Sequence, residues 1–375
     1  MIYFHIPFCK QACHYCDFHF STSLNYKADM LTAMQRELKM RAPYLNDNSI
    51  HSIYFGGGTP SIMEADDIAR LIAEVAKHYD IAADAEITLE ANPDDLTATK
   101  VTALRQTPIN RFSIGIQSFF EEDLRWMNRA HNATEADASI KRVQDAGFEN
   151  ITCDLIYGYP LLTDIKWKEN MQKLIALDVP HISSYAMTVE KKTALNHQIK
   201  QGKTAPISDA QSAEQMLMLI ECMTGNGYEH YEISNFAKPG RYAKHNTNYW
   251  KGKSYLGIGP SAHSFNGHSR AWNVANNAHY IKGIFNNDLP LETEDLSVYD
   301  RYNEYIMTSL RTKWGVDINF VDNNFGADYS KQLKKDAALY LEDKDICMEK
   351  ERFLVLTPKG KLIADQIAAA LFLVD

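Results

Sequence analysis

Cysteine is scarce in this chain and unevenly used: there are six in 375 residues, and three of them, Cys9, Cys13 and Cys16, fall within the first sixteen. Cys153, Cys222 and Cys347 stand far apart and are read as core residues, which excludes a disulfide framework and fits a reducing cytoplasm. No stretch reaches eighteen apolar residues, so no membrane-spanning helix is expected; contact with a membrane surface is left open. Residues 1–8 are apolar but contain His5 and Pro7 and lack a basic leader, so they are read as neither signal peptide nor span. Positive charge is also short, with 39 Lys and Arg against 48 Asp and Glu, a net charge of -9. A partner held through its phosphate backbone normally meets a basic face, so nucleic acid is not expected. No internal repeat, heptad run or low-complexity tract is visible, and order is expected nearly end to end.

What is present begins with the C-x3-C-x2-C spacing of Cys9, Cys13 and Cys16. Thiolates are soft ligands for zinc or iron-sulfur clusters, and short spacings within one loop enclose a metal at little entropic cost. Three thiolates cannot complete a four-iron cluster, so one iron is left open to chemistry. A ferredoxin would supply a fourth cysteine nearby, and position 18 is Phe18. The alternatives are zinc completed by His5, His14 or His19, which would make the chain a zinc-stabilised binding module, and a chance cluster of buried thiols.

At this length one large domain and one smaller appendage are expected. Short β-rich runs at 2–6, 52–55, 86–90, 111–116, 151–156 and 181–185 alternate with amphipathic stretches at 26–40, 66–79, 97–106, 134–146 and 167–177. Such alternation predicts an α/β fold of parallel strands with right-handed crossovers, a partial (β/α)6 TIM-type barrel over 1–190. In such barrels chemistry gathers at the carboxyl ends of strands, where the cysteine loop, 56–60, Glu90, Gln117 and Asp154 all fall. The glycines Gly56, Gly57 and Gly58 form no Walker A loop; they allow close backbone approach, or only a tight turn.

The segment 191–297 is rich in Tyr, His, Asn and Gly and reads as polar-aromatic loops, a lid over a large ligand. From 298 to 375, helices at 301–310 and 329–341, a hairpin at 346–356 and a terminal helix at 358–372 predict a small winged-helix-like α+β domain. Its balance of acids and bases favours docking a protein or roofing the site over binding DNA.

Residues 3–18, together with G-G-G-T-P-S at 56–61, E-A-N-P at 90–93, G-I-Q-S-F at 115–119, D-L-I-Y-G-Y-P at 154–160, H-N-x-x-Y-W at 245–250 and L-T-x-x-G at 356–360, resemble the radical S-adenosylmethionine (radical SAM) superfamily. Within it they resemble the branch containing oxygen-independent coproporphyrinogen III oxidase and the radical SAM heme chaperone. The resemblance implies a [4Fe-4S] cluster on Cys9, Cys13 and Cys16, with S-adenosyl-L-methionine on the open iron. It places Tyr3, Tyr15, Gly57, Gly58, Thr59, Glu90, Gln117, Arg129 and Asp154 around that cofactor. Each could instead serve a salt bridge at the barrel end; Arg129 with Glu121 or Asp123 is one such pair.

The oxidase, an enzyme of porphyrin biosynthesis, carries a further cysteine two residues past the third cluster ligand and a longer N-terminal extension. Phe18 and the short segment before Tyr3 depart from that pattern. The chaperone branch shows C-x3-C-x2-C-D-F and H-N-x-x-Y-W, both present. The resemblance therefore implies heme for delivery to heme-accepting proteins, an electron donor such as flavodoxin or ferredoxin, and leaves open a homodimer. His245 is the candidate heme ligand, the alternative being a buried, hydrogen-bonded histidine.

Overall fold

Alternating side chains give the central sheet two unlike faces. The computed structural model describes residues 1–374. Strands β1 (Ile2–Ile6), β2 (Ser49–Gly57), β3 (Asp80–Ala91), β4 (Arg111–Gln117), β5 (Asn150–Tyr157) and β6 (His181–Ala186) are parallel and lie side by side in chain order. Helices α1 (Lys27–Met40), α2 (Ala65–Ala76), α3 (Ala98–Arg105), α4 (Glu121–Trp126), α5 (Ala133–Asp145) and α6 (Asp164–Ala176) fill the crossovers. The six strands and five helices expected from periodicity all fall on these elements; the short α4 was not anticipated.

Two cues make the helices. On α2, Ile68, Leu71, Ile72 and Val75 form a buried stripe at helical spacing. On α5, Asn132 and Glu135 form a reciprocal capping box that satisfies amide groups at the helix start. One face of the strands, with Phe4, Phe55, Leu89, Phe112 and Leu155, joins these stripes in the main core. The other face is polar and self-bonded: Thr152 Oγ1 lies 3.0 Å from His181 Nδ1, Tyr54 donates to Glu90 at 2.7 Å, and Arg111 donates to Thr152. Parallel strands buried on both faces ordinarily read as apolar runs, so a polar inner face sets this lumen apart from an apolar core.

The chain continues through α7 (Ala194–Lys200), α8 (Asp209–Gly225), β7 (Glu229–Glu232), β8 (Asn235–Ala237), α9 (Lys244–Trp250), β9 (Leu256–Ile258), β10 (His263–Phe265), β11 (Ser269–Asn273), α10 (Asn277–Phe285) and β12 (Leu291–Asp295). These are not the loops expected of a lid. β8 adds to β6 antiparallel with β7 beyond it, and β9 adds to β1 parallel, which completes a nine-stranded sheet ordered β7-β8-β6-β5-β4-β3-β2-β1-β9. Tyr231 and Phe236 of this segment are buried against the sheet edge instead of covering its mouth. β7 and β9 do not pair, so the barrel is open.

The last part holds α11 (Val298–Leu310), β13 (Val316–Asp317), α12 (Ile318–Phe325), α13 (Ala327–Glu342), β14 (Ile346–Glu349), β15 (Phe353–Leu356), α14 (Pro358–Lys361) and α15 (Ala364–Ala370) around a core of its own that includes Tyr302, Ile306 and Leu333. The expected single terminal helix is broken at Ile363, whose φ of -124° and ψ of 27° leave the helical region. β13 and α12 were not anticipated. A polar seam ties this domain to the sheet edge: Arg311 pairs with buried Glu232 at 3.3 Å, and Lys313 N donates to Tyr231 O at 2.9 Å. No described helix is long and apolar enough to cross a membrane.

Candidate active site

The cysteine loop is fastened at both ends by backbone bonds. Cys9 N donates to Ser21 O at 3.0 Å, Ser21 N to Pro7 O at 2.9 Å, and Thr59 N to Phe8 O at 2.7 Å. The turn after β2 thus meets the turn after β1. Gly58 lies so close that a Cβ there would stand 2.6 Å from Phe8 O, and Gly57, at φ +103°, would meet the His5 ring at 2.7 Å. Glycine is needed here for space and for backbone conformation, beyond any turn preference.

At the carboxyl ends of the strands opens a cavity of about 520 Å³. Its wall gathers Cys9, Cys13, Cys16, Tyr15, Gly57, Gly58, Thr59, Glu90, Gln117, Arg129 and Asp154, eleven of the thirteen residues expected at the site. Tyr3 and His245 are the two it leaves out. Tyr3 stacks behind Tyr54 at 6.1 Å and its hydroxyl lies 3.2 Å from His5 Nδ1. Tyr54, Asn92, Ser183, Tyr185 and Asn246 also line the cavity and were not foreseen. Tyr54 precedes Gly56 by two, the spacing that shares a strand face, so alternation could have found it. Asn246 arrives from far along the chain, inside the H-N-x-x-Y-W block from which only His245 was expected to act.

The charges have definite partners. Arg129 Nη1 lies 3.4 Å from Cys13 Sγ and 3.3 Å from the Tyr15 hydroxyl, while Nη2 donates to Asn92 Oδ1 at 2.7 Å and Gly115 O at 2.9 Å. A Cβ on Gly115 would stand 3.1 Å from Arg129 Nη2, so this glycine clears the guanidinium's place. The bland pairings do not form: Glu121 binds Arg125 and Asp123 binds Lys166. Arg129 Nε is buried without a partner. Cation and unmet donor together suit an anionic ligand atom.

Burial pushes the Glu90 carboxyl up to about 7; the Tyr54 hydrogen bond opposes this and the Asp154 charge adds to it. Burial likewise raises Asp154 to about 6, against the pull of Arg111. Two acids poised near neutrality accept hydrogen bonds from hydroxyls or pair with an ammonium. Gln117 takes a positive φ of 65°, a left-handed conformation unusual for a side-chain-bearing residue, at the point where β4 meets the cavity.

The zinc alternative lacks its fourth ligand. His5 Nε2 lies 2.9 Å from His19 O, His14 Nδ1 lies 2.8 Å from Trp126 O, and His19 Nε2 lies 2.8 Å from Asn277 Oδ1. Among the described residues no three His, Cys, Asp or Glu side chains converge as a single ion requires. A cubane cluster holds its thiolates on three different irons, so cysteines spread around one cavity, with Thr59 donating to Cys9 Sγ at 3.4 Å, suit it better.

His245 lies at the start of α9, against β2 toward the amino ends of the strands. Ser52 Oγ sits 2.9 Å from its Nδ1, and Glu86 accepts from its backbone N at 3.0 Å. Burial holds its imidazole down at about 3. It has the surroundings of a buried, hydrogen-bonded histidine.

Residues 3–174 match the Radical SAM superfamily and residues 296–363 the HemN C-terminal domain. The chain is 31% identical to heme chaperone HemW of Lactococcus lactis subsp. lactis, covering 100% of this chain and 97% of that protein, and 32% identical to heme chaperone HemW of Bacillus subtilis, covering 98% of each. Among solved structures, coproporphyrinogen III oxidase (HemN) from Escherichia coli, a radical SAM enzyme, superposes with a TM-score of 0.85 at 25% identity over 99% of this chain and 89% of that one.

Proposed function

Because the chain belongs to the heme chaperone HemW family of the radical SAM superfamily, we propose that it holds a [4Fe-4S] cluster and S-adenosyl-L-methionine at the barrel mouth and carries heme to heme-accepting proteins in the cytoplasm. What carries the first half is the arrival of Cys9, Cys13, Cys16 and the incompletely partnered Arg129 on one cavity. In this reading the thiols become the thiolate ligands of three irons. Arg129 takes the carboxylate of the cofactor's methionine part with its guanidinium, and the bare Gly57-Gly58 backbone approaches the amino group. Glu90 and Asp154 accept from ribose hydroxyls, while Tyr15, Thr59 and Gln117 fill the wall. Tyr3 acts from behind, by packing on Tyr54. When bound, the cluster supplies an electron for chemistry at the sulfonium, delivered by a small donor such as flavodoxin or ferredoxin.

Anaerobic purification with visible absorption and iron and sulfide analysis tests the cluster; a colourless, zinc-loaded protein overturns it. Chaperone and oxidase separate on one assay, in which the reduced, reconstituted protein is given coproporphyrinogen III. No turnover, with heme passing from the loaded protein to an apo acceptor, is expected. Protoporphyrinogen IX formed at catalytic turnover would replace the chaperone reading with the enzyme.

A further inference from the structure

α9 is a partition. Its Asn246 faces the barrel-mouth cavity, whereas Tyr249 and Trp250, three and four residues on, line a second cavity of about 560 Å³ on the other side. That volume lies within the range of pockets that accept cofactor-sized ligands, and the position, between the barrel and the C-terminal domain, is where such pockets commonly form. Aromatic rings come from both parts of the chain: Tyr255 and Phe265 from the barrel side, Tyr305 and Phe320 from α11 and α12. Tyr305 and Phe320 stack at 4.3 Å.

The polar groups in this wall are unevenly matched. Its acids are already bound, Glu304 by Arg270 at 2.7 Å and Asp317 by Arg352. Lys251 rests over the Trp314 ring at 4.2 Å and Arg301 Nε donates to Ser297 O at 3.4 Å, but neither has a carboxylate partner among the described residues, and Arg270 Nε is buried with no hydrogen bond. His268 sits in a fixed turn: its backbone N donates to Asn266 Oδ1 at 3.0 Å and its carbonyl accepts from Leu296 N at 3.0 Å, while the imidazole is exposed and makes no hydrogen bond among the described residues. An aromatic-lined cavity with two cations that no carboxylate neutralises and one free imidazole matches a planar macrocycle with two carboxylates and a metal centre.

We infer that heme is seated in this second cavity, with His268 as iron ligand and Arg301 and Lys251 facing its propionates, and that α9 joins this seat to the barrel-mouth site. The inference rests on the heme-carrying function proposed above and places heme apart from His245.

Ferric heme titrated into the full-length chain tests it by the Soret band. His268→Ala should shift the band and weaken binding roughly tenfold or more, and added imidazole should restore the band position. Arg301→Gln combined with Lys251→Gln should weaken heme binding but leave binding of heme dimethyl ester, which lacks the carboxylates, unchanged. An unaltered spectrum and affinity in His268→Ala, or a Soret change in His245→Ala alone, overturns the site while heme carriage stands. A wild-type chain that binds no heme overturns both.

Discussion

Arg129 and Cys13 lie 116 residues apart in sequence, and the guanidinium Nη1 comes to 3.4 Å from the cysteine Sγ. The fork is shared: one nitrogen faces the thiol and Tyr15, the other is held by Asn92 and Gly115, and Nε is buried without a hydrogen bond. Arg129→Lys keeps the charge and loses the fork. Iron content should be unchanged while affinity for S-adenosylmethionine falls roughly tenfold or more, read by calorimetry on the reconstituted protein. If the variant loses iron as well, Arg129 serves the loop and not the ligand.

Glu90 should impose a pH slope on stability. Its folded value of about 7 stands above the ordinary 4.5 because burial disfavours the charge. Between those values the folded state binds more protons than the unfolded one, so stability falls as pH rises from about 4.5 to 7 and is flat beyond. The full loss is on the order of 3 kcal/mol as an upper bound. Urea unfolding of the cluster-free chain should show this slope, and Glu90→Gln should remove most of it. A residual slope below pH 6 belongs to Asp154, shifted in the same direction.

Much of this was legible before the fold because it is local. The six parallel strands announce themselves by β-branched and aromatic runs, and strand ends place Glu90, Gln117 and Asp154 together once a barrel is assumed. What escaped depends on register and long-range docking. Tyr3 stands behind Tyr54 and does not reach the cavity, a difference set by how β1 pairs with β2. The Tyr-rich block at 228–236 reads as loop because its apolar faces are short. It becomes sheet edge by pairing with β6, far off in sequence, and the C-terminal domain adds the bond from Ile233 N to Arg311 O at 2.9 Å.

Gly57 offers a test of the turn beside the cluster loop. Alanine there must adopt φ +103° and bring a methyl within 2.7 Å of the His5 ring. Left-handed backbone and contact together should destabilise the fold by about 1–3 kcal/mol. His5 holds His19 O at 2.9 Å, so the strain should pass into the cysteine loop. Gly57→Ala is therefore expected to lower both the thermal midpoint and the iron retained after anaerobic reconstitution. Full iron at a lowered midpoint would confine the effect to the turn.

The seam between barrel and C-terminal domain should also answer to pH. Glu232 is buried, its carboxyl raised by that burial and held back by Arg311 at 3.3 Å. Arg311→Met keeps an apolar stem near the Trp250 ring and removes the cation, leaving an unpaired buried carboxylate. The cost should be about 1–3 kcal/mol near pH 8. It should shrink toward pH 5, because the folded state then keeps its proton at little expense while the unfolded chain no longer gains by releasing it. Adding Glu232→Gln to the variant should recover most of the loss at pH 8, since it removes the charge that was left alone. Urea unfolding of the single and double variants at both pH values reads this directly, and an equal loss at pH 5 and pH 8 would mean that Arg311 acts by packing alone.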